Sequence, residues 1–334
     1  MIYMLKEYAK AFGVSGCEGE IRGIIKNNVK EIGDVLIDRI GNLIVHKKGN
    51  GKKVMIAAHM DEVGFIVTNI LNDGRIKFSP VGSIDSRILP SKRVTFYKNN
   101  IKGVIGAKPI HLQPIDERKN PFLLKDLFID IGADSFEEVS KYVRIGDYAT
   151  FESEYIELEE IIKCKALDDR AGCALITEAI KENYELDLYA AFTVQEEVGL
   201  RGAEVVSKVI MPEIAIVIEG TTCADIAKNE RDFVTALGLG PAISIMDRTS
   251  AADINLVKRI VEIAKNNNIP FQYRKGNVGG NDAGIIHKTG KGCITATISV
   301  PTRYIHSPVS MISKKDFENT LKLLKLVLHS LEED

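Results

Sequence analysis

Residues 54–58, Val-Met-Ile-Ala-Ala, form an apolar run too short for a helix, and the run ends in His59-Met60-Asp61-Glu62-Val63-Gly64. An apolar segment of that length reads as a strand buried on both faces, as in sheets that helices cover on each side. Residues i and i+2 of an extended segment point the same way. Asp61 therefore faces His59 and can accept a hydrogen bond from its ring, which fixes the tautomer and makes the other ring nitrogen a better metal donor. One His-x-Asp at a strand end is ordinarily a surface pair. Here carboxylates and a second histidine recur at the ends of later apolar runs, and that recurrence constrains the fold.

The two ends of the chain alternate helix and strand. Residues 18–32 have helical periodicity, with Ile21, Ile24, Ile25, Val29 and Ile32 on one side. After residue 163 come a helix over 169–181, a strand over 188–194, a helix over 200–210 and a buried strand over 214–218. Ser250-Ala-Ala-Asp253 reads as a capping box opening a helix to about Asn267, and Ser313-Lys-Lys-Asp316 caps a final helix with Phe317, Leu321, Leu324 and Leu328 as its stripe. Residues 294–300 are β-rich. The alternation predicts a largely parallel sheet covered on both faces. The middle differs: residues 75–78, 94–97, 101–105 and 148–151 read as short strands, with a hairpin turn at Lys98-Asn99-Asn100 and a short helix capped by Ser135. The fold class is thus α/β, a helix-covered sheet formed by residues 1–67 and 161–334, with a β-rich module, residues 68–160, inserted in it.

In an open α/β sheet, ligands bind outside the carboxyl ends of the strands. His59, the pair Glu196-Glu197, Glu219 and His306 all follow such ends, and Asp168-Asp169 sits at the mouth of a helix. Two divalent ions carry four positive charges. Asp168, Glu197 and Glu219 return three, and a bridging hydroxide would complete neutrality. Histidine and carboxylate ligands without thiolate suit zinc, cobalt or manganese. If Asp168 bridges, His59, Asp168 and Glu219 hold one ion while Asp168, Glu197 and His306 hold the other. Each ion then keeps an open place, the mark of a catalytic centre. Glu196, beside metal-bound water, is suited to take a proton and deliver it to a leaving amine.

Ala-His59-Met-Asp61-Glu-Val-Gly, Ala-Leu-Asp168-Asp169-Arg-Ala-Gly, Gln-Glu196-Glu197-Val-Gly, Gly279-Gly280-Asn281-Asp282-Ala-Gly and Arg303-Tyr304-Ile305-His306-Ser307 together resemble the M42 family of metallo-aminopeptidases. These are the tetrahedral aminopeptidases, whose members also carry glutamyl aminopeptidase and endoglucanase names. The resemblance implies a zinc-peptidase-like mixed sheet covered by helices, with an inserted small β-barrel used for dimerisation, and a dodecamer built from six dimers. It implies two zinc or cobalt ions held by His59, Asp168, Glu197, Glu219 and His306, with Glu196 as general base and Asp61 as partner of His59. The choice of Asp168 over Asp169 rests on the wider pattern of related co-catalytic peptidases. Family members often carry aspartate where Glu219 stands. Substrate contacts are expected from Gly279, Gly280, Asp282 and Arg248, and His111 is expected to reach a partner subunit's cleft. His46, His287 and His329 read as structural. Gly238-Leu-Gly240-Pro241 lacks the third glycine of a dinucleotide fingerprint.

The reading is a dinuclear metal-dependent aminopeptidase acting on peptides with a free N-terminus. A glycoside hydrolase also needs paired carboxylates, but the chain has no tryptophan to stack on sugar rings, and that chemistry leaves both histidines idle. A non-enzymatic metal-binding scaffold would bind metal without turnover. Formal net charge of −2 offers nothing to a nucleic acid. No run of eighteen apolar residues predicts a membrane span, and residues 1–13 do not resemble a signal peptide. The cysteines, Cys17, Cys164, Cys173, Cys223 and Cys293, are odd in number and lack a Cys-x-x-Cys, which fits reduced thiols in the cytoplasm.

Overall fold

In the computed structural model, which describes residues 1–226, 234–276 and 279–333, the run at 54–58 is the strand Lys53–His59 at the middle of a large mixed sheet. Its side chains are buried in alternation. Val54, Ile56 and Ala58 enter one apolar core, and Met55 and Ala57 enter another on the opposite face. Ile214, Ile216 and Ile218 alternate with Ala215 and Val217 in the same way. A strand apolar at every position is what two covered faces require.

From one edge to the other the sheet runs Asp34–Ile37, Leu43–Lys47, Asp187–Thr193, Lys53–His59, Ile214–Cys223, Ile294–Arg303, Ser310–Ser313, Ile161–Cys164 and Ile156–Glu157. Ala242–Ser244 pairs with Ile294–Arg303 and with Gln272–Tyr273. The four central strands, Asp187–Thr193 to Ile294–Arg303, pair in parallel. The outer strands are antiparallel, so the sheet is mixed, as the family resemblance implies, and less parallel than the helix–strand alternation alone predicted. Hairpin neighbours such as Asp34–Ile37 and Leu43–Lys47 need no helical crossover, because a short turn reverses the chain directly. One face is covered by Gly19–Val29, Leu167–Ala179, Ile254–Asn266 and Lys314–Ser330, the other by Arg201–Ile210 and Ala283–Ile286.

Two local expectations are corrected. The helix expected from Ser250 starts at Ile254, and its cap is Asp253, whose carboxylate accepts from the backbone N–H groups of Asn255 and Leu256. The strand expected to end at Ile218 continues to Cys223, paired along its whole length with Ile294–Arg303. Its pairing with Lys53–His59 stops at Val217, so the sheet opens beside Glu219. The cap at Ser313 is as read: its hydroxyl accepts from the Asp316 N–H at 3.3 Å.

Six antiparallel strands between Gly64 and Phe151 close into a barrel, in the order Gly64–Ile70, Ile76–Val81, Phe128–Asp130, Lys102–Gly106, Arg93–Phe96 and Tyr148–Phe151. Phe65 packs edge-on against Phe78 and Phe151 at its centre. Only four residues, Met60 to Val63, separate the central strand from the barrel's first strand. One end of the barrel therefore abuts the carboxyl end of the sheet.

Candidate metal centre

His59 ends the central strand and is 1% exposed. Its Nε2 lies 3.4 Å from Asp168 Oδ1 and 3.2 Å from Glu219 Oε1. His306, in the loop after Ile294–Arg303, has its Nε2 3.5 Å from Asp168 Oδ2 and 3.1 Å from Glu197 Oε1. Asp168 thus lies between two histidines, with one oxygen facing each. The structure brings together all five residues expected as ligands, with His59 beside Asp168 and Glu219, and His306 beside Asp168 and Glu197.

Each ring has an acceptor behind it, hydrogen-bonded in His306 and only facing the ring in His59. His306 Nδ1 lies 2.8 Å from the Ser83 carbonyl, which makes Nδ1–H the donor and leaves Nε2 free toward the carboxylates. His59 Nδ1 lies 3.4 Å from Asp61 Oδ1. Asp61 also accepts from the Ser15 hydroxyl at 2.6 Å and from the backbone N–H groups of Glu196 at 3.0 Å and Glu197 at 3.2 Å. It therefore organises more than His59, since it holds the turn that carries both glutamates.

The electrostatics call for cations. Asp61, Asp168, Asp169 and Glu219 are buried, and Glu196 and Glu197 lie beside them. Burial and mutual repulsion push Glu219, Glu196 and Asp169 well above the usual carboxylate range. Burial opposes charge on Asp168 too, but the two imidazoles outweigh it and hold that group below its usual value. Burial likewise opposes charge on the histidines, yet Glu197 and Asp168 push His306 up to about 11, and the carboxylates around His59 raise it as well. His59 Nδ1, Asp168 Oδ1, Asp169 Oδ2 and Glu197 Oε1 are buried without a hydrogen-bond partner. Buried charges of one sign are stable only when paired or coordinated. The donor set of imidazole and carboxylate fits divalent metal ions.

Several contributors escaped sequence reading. Asp169 stays close: one atom each of His59, Asp169 and Glu219 fall within 4.8 Å of one another. A Cβ at Gly220 would lie 2.6 Å from Asp168 Oδ1, and one at Gly172 would lie 2.4 Å from the Asp169 carboxylate. Glycine inside a strand signals close approach of this kind, and Gly220 carried that signal. Ser15 and Ser83 carried none. Beneath the site, Lys165 Nζ is 2.7 Å from Glu62 Oε1, and Glu62 also accepts from the Thr150 hydroxyl of the barrel.

Asp168, Glu196, Glu197, Glu219 and His306 open into a cleft of about 870 Å³, lined also by Arg248, Gly279, Gly280, Arg274 and Thr221. Gly279 has φ +77°, which favours glycine, while a Cβ at Gly280 would meet Thr249 at 2.4 Å. Gly280 is therefore required by packing. Asp282, also expected here, does not line the cleft. It is 1% exposed, accepts from the Thr193 hydroxyl at 2.5 Å, and is pushed up to about 6 by burial. The turn that bends the chain into Ala283–Ile286 draws it inward. His111 lies on a short 3-10 turn, exposed, beyond the barrel strand Lys102–Gly106. All five cysteines are free thiols. Among the described residues no helix is long and apolar enough to cross a membrane.

The profile of the family described as M42 glutamyl aminopeptidase matches residues 41–323. A putative aminopeptidase of Acetivibrio thermocellus is 43% identical over 97% of each chain. The crystal structure of a TET aminopeptidase from a marine-sediment Thaumarchaeota archaeon has a TM-score of 0.96 at 35% identity, covering 99% of this chain and 97% of that one. The Pyrococcus horikoshii TET1 peptidase, described as able to assemble into a tetrahedron or a large octahedral shell, has a TM-score of 0.88 at 34% identity over 98% of each chain.

Proposed function

The chain belongs to the M42 family and is a metal-dependent aminopeptidase, and from that premise we propose that it works with two divalent ions per chain. His59, Asp168 and Glu219 would hold one, and His306, Asp168 and Glu197 the other, with Asp168 shared. The observation that carries this reading is the position of Asp168, one oxygen toward each histidine. When bound, such ions supply Lewis acidity toward the scissile carbonyl and lower the pKa of water. Zinc or cobalt suits the donors, and manganese is compatible with them.

Glu196 lines the cleft, and its backbone N–H is bonded to Asp61. Its carboxylate has no hydrogen-bond acceptor role among the bonds described, so it is left for proton transfer. It takes the proton of the attacking water and returns it to the departing amine. A free α-ammonium group is recognised by carboxylates of the site, including Glu219. Arg248 and Gly279 flank the peptide further along the cleft. A glycoside hydrolase would have no use for the two inward-facing imidazoles. A scaffold without turnover would have no use for Glu196 at the cleft wall.

The barrel is the natural surface for dimerisation, and assembly into a dodecamer would follow the tetrahedron described for the Pyrococcus horikoshii relative. Free thiols favour a cytoplasmic setting.

The test is chelation and add-back on paired peptides, one with a free N-terminus and one N-acetylated. Activity should vanish with chelator, return as about two ions per chain bind, and be confined to the free peptide. Cleavage of the acetylated twin at an equal rate would refute the aminopeptidase direction. Full activity at one ion per chain would refute the two-ion site.

A further inference from the structure

The two halves of the centre are braced from different places. His59 Nδ1 faces Asp61 at 3.4 Å, only two residues on in the same chain segment. His306 is braced by the carbonyl of Ser83, which belongs to the barrel side of the molecule. Ser83 follows Gly82, the first residue after the barrel strand Ile76–Val81. That strand pairs with Gly64–Ile70 so that Val81 lies opposite Gly64, which sets Gly82 beside Val63.

Gly82 cannot be replaced freely. Its φ is +82°, and a Cβ built there would lie 2.7 Å from Val63 Cγ1 and 3.3 Å from Glu197 Cβ. The turn therefore meets both residues proposed as terminal ligands of one half of the centre: it holds His306 by a hydrogen bond and leaves little room for a Cβ beside Glu197. Neither contact reaches the His59–Glu219 half. Partners that orient a metal-binding imidazole typically matter 10–100-fold, as an order of magnitude, for metal affinity.

We propose that the Gly82–Ser83 turn is a positioning element for the His306–Glu197 half of the centre, so that the barrel sets the affinity of one of the two ions. This rests on the two-ion reading above. Ser83 acts through its main-chain carbonyl, so Ser83→Ala should leave metal binding unchanged. Gly82→Ala forces the turn away from Val63 and Glu197 and moves the carbonyl from His306.

The experiment is a zinc titration of the full-length protein after chelator treatment, followed by calorimetry and by elemental analysis at limiting zinc. In the wild type, two ions per chain are expected, and fewer would defeat the two-ion reading itself. In Gly82→Ala, one ion should weaken by about tenfold or more while the other stays within about twofold. A generally damaged fold would weaken both together. Equal weakening, or two ions bound as in the wild type, would overturn the proposal. If Gly82→Ala fails to fold, Val63→Ala/Gly82→Ala removes the atom at 2.7 Å and keeps the contact with Glu197. The same one-ion loss, smaller in size, is expected there, and wild-type affinity for both ions would again overturn the proposal.

Discussion

Asp61→Ala removes a carboxylate that is 0% exposed and accepts from the Ser15 hydroxyl and the Glu196 and Glu197 N–H groups. Hydrogen bonds to a charged acceptor contribute about 1.5–3 kcal/mol each. Three at the low end give roughly 4–5 kcal/mol, and water entering the vacated space recovers part, leaving about 3 kcal/mol. A second loss appears only with metal. His59 Nδ1 faces Asp61 Oδ1 at 3.4 Å, and removing such a partner costs about 10–100-fold in affinity. At saturating zinc that adds about 1.4–2.7 kcal/mol by mass action. Urea unfolding at one protein concentration, in chelator and in excess zinc, separates the two. The variant should lose about 3 kcal/mol in chelator and roughly 5 kcal/mol in zinc. An equal loss in both conditions would show that Asp61 braces the Glu196–Glu197 turn and does nothing for the metal through His59.

Glu196→Gln should slow turnover by about 100-fold or more while two ions remain bound, whereas Glu197→Gln should lose metal. If both variants keep two ions and only Glu197→Gln is inactive, the roles are exchanged. Metal uptake at neutral pH should release protons. Burial opposes charge on His306, but Glu197 and Asp168 push it up to about 11, so it is protonated before an ion binds and must lose that proton. Apparent affinity should therefore climb with pH up to about 11, and calorimetry in buffers of different ionisation enthalpy should show the release. A buffer-independent heat would contradict it. Light scattering with metal bound should report about twelve chains of 36.9 kDa. A fully active monomer at high concentration would exclude the closed assembly.

The sequence made the sheet centre legible because residues buried on both faces are apolar at every position, as at 54–58 and 214–218. It made the five candidate ligands legible because each follows such a run or opens a helix. What it hid lies in backbone conformation and in contacts distant along the chain. Ala166, Gln195, Tyr304 and His306 all have φ between +53° and +58°, a region non-glycine residues seldom occupy, and nothing in their side chains announces it. The three turns that hold these residues aim the candidate ligands at one point, and such strain is held only when the surroundings over-determine it. The surroundings here come from remote segments: Ser15 reaches Asp61 across 46 residues, and Ser83 reaches His306 across 223. No local pattern encodes either contact. A reading by motif therefore treats the barrel as an appendage for assembly. The carbonyl at Ser83 and the missing Cβ at Gly82 make it a wall of the catalytic cleft. A change in the barrel that shifts this turn should reach the chemistry through His306 before it reaches the stability of the sheet.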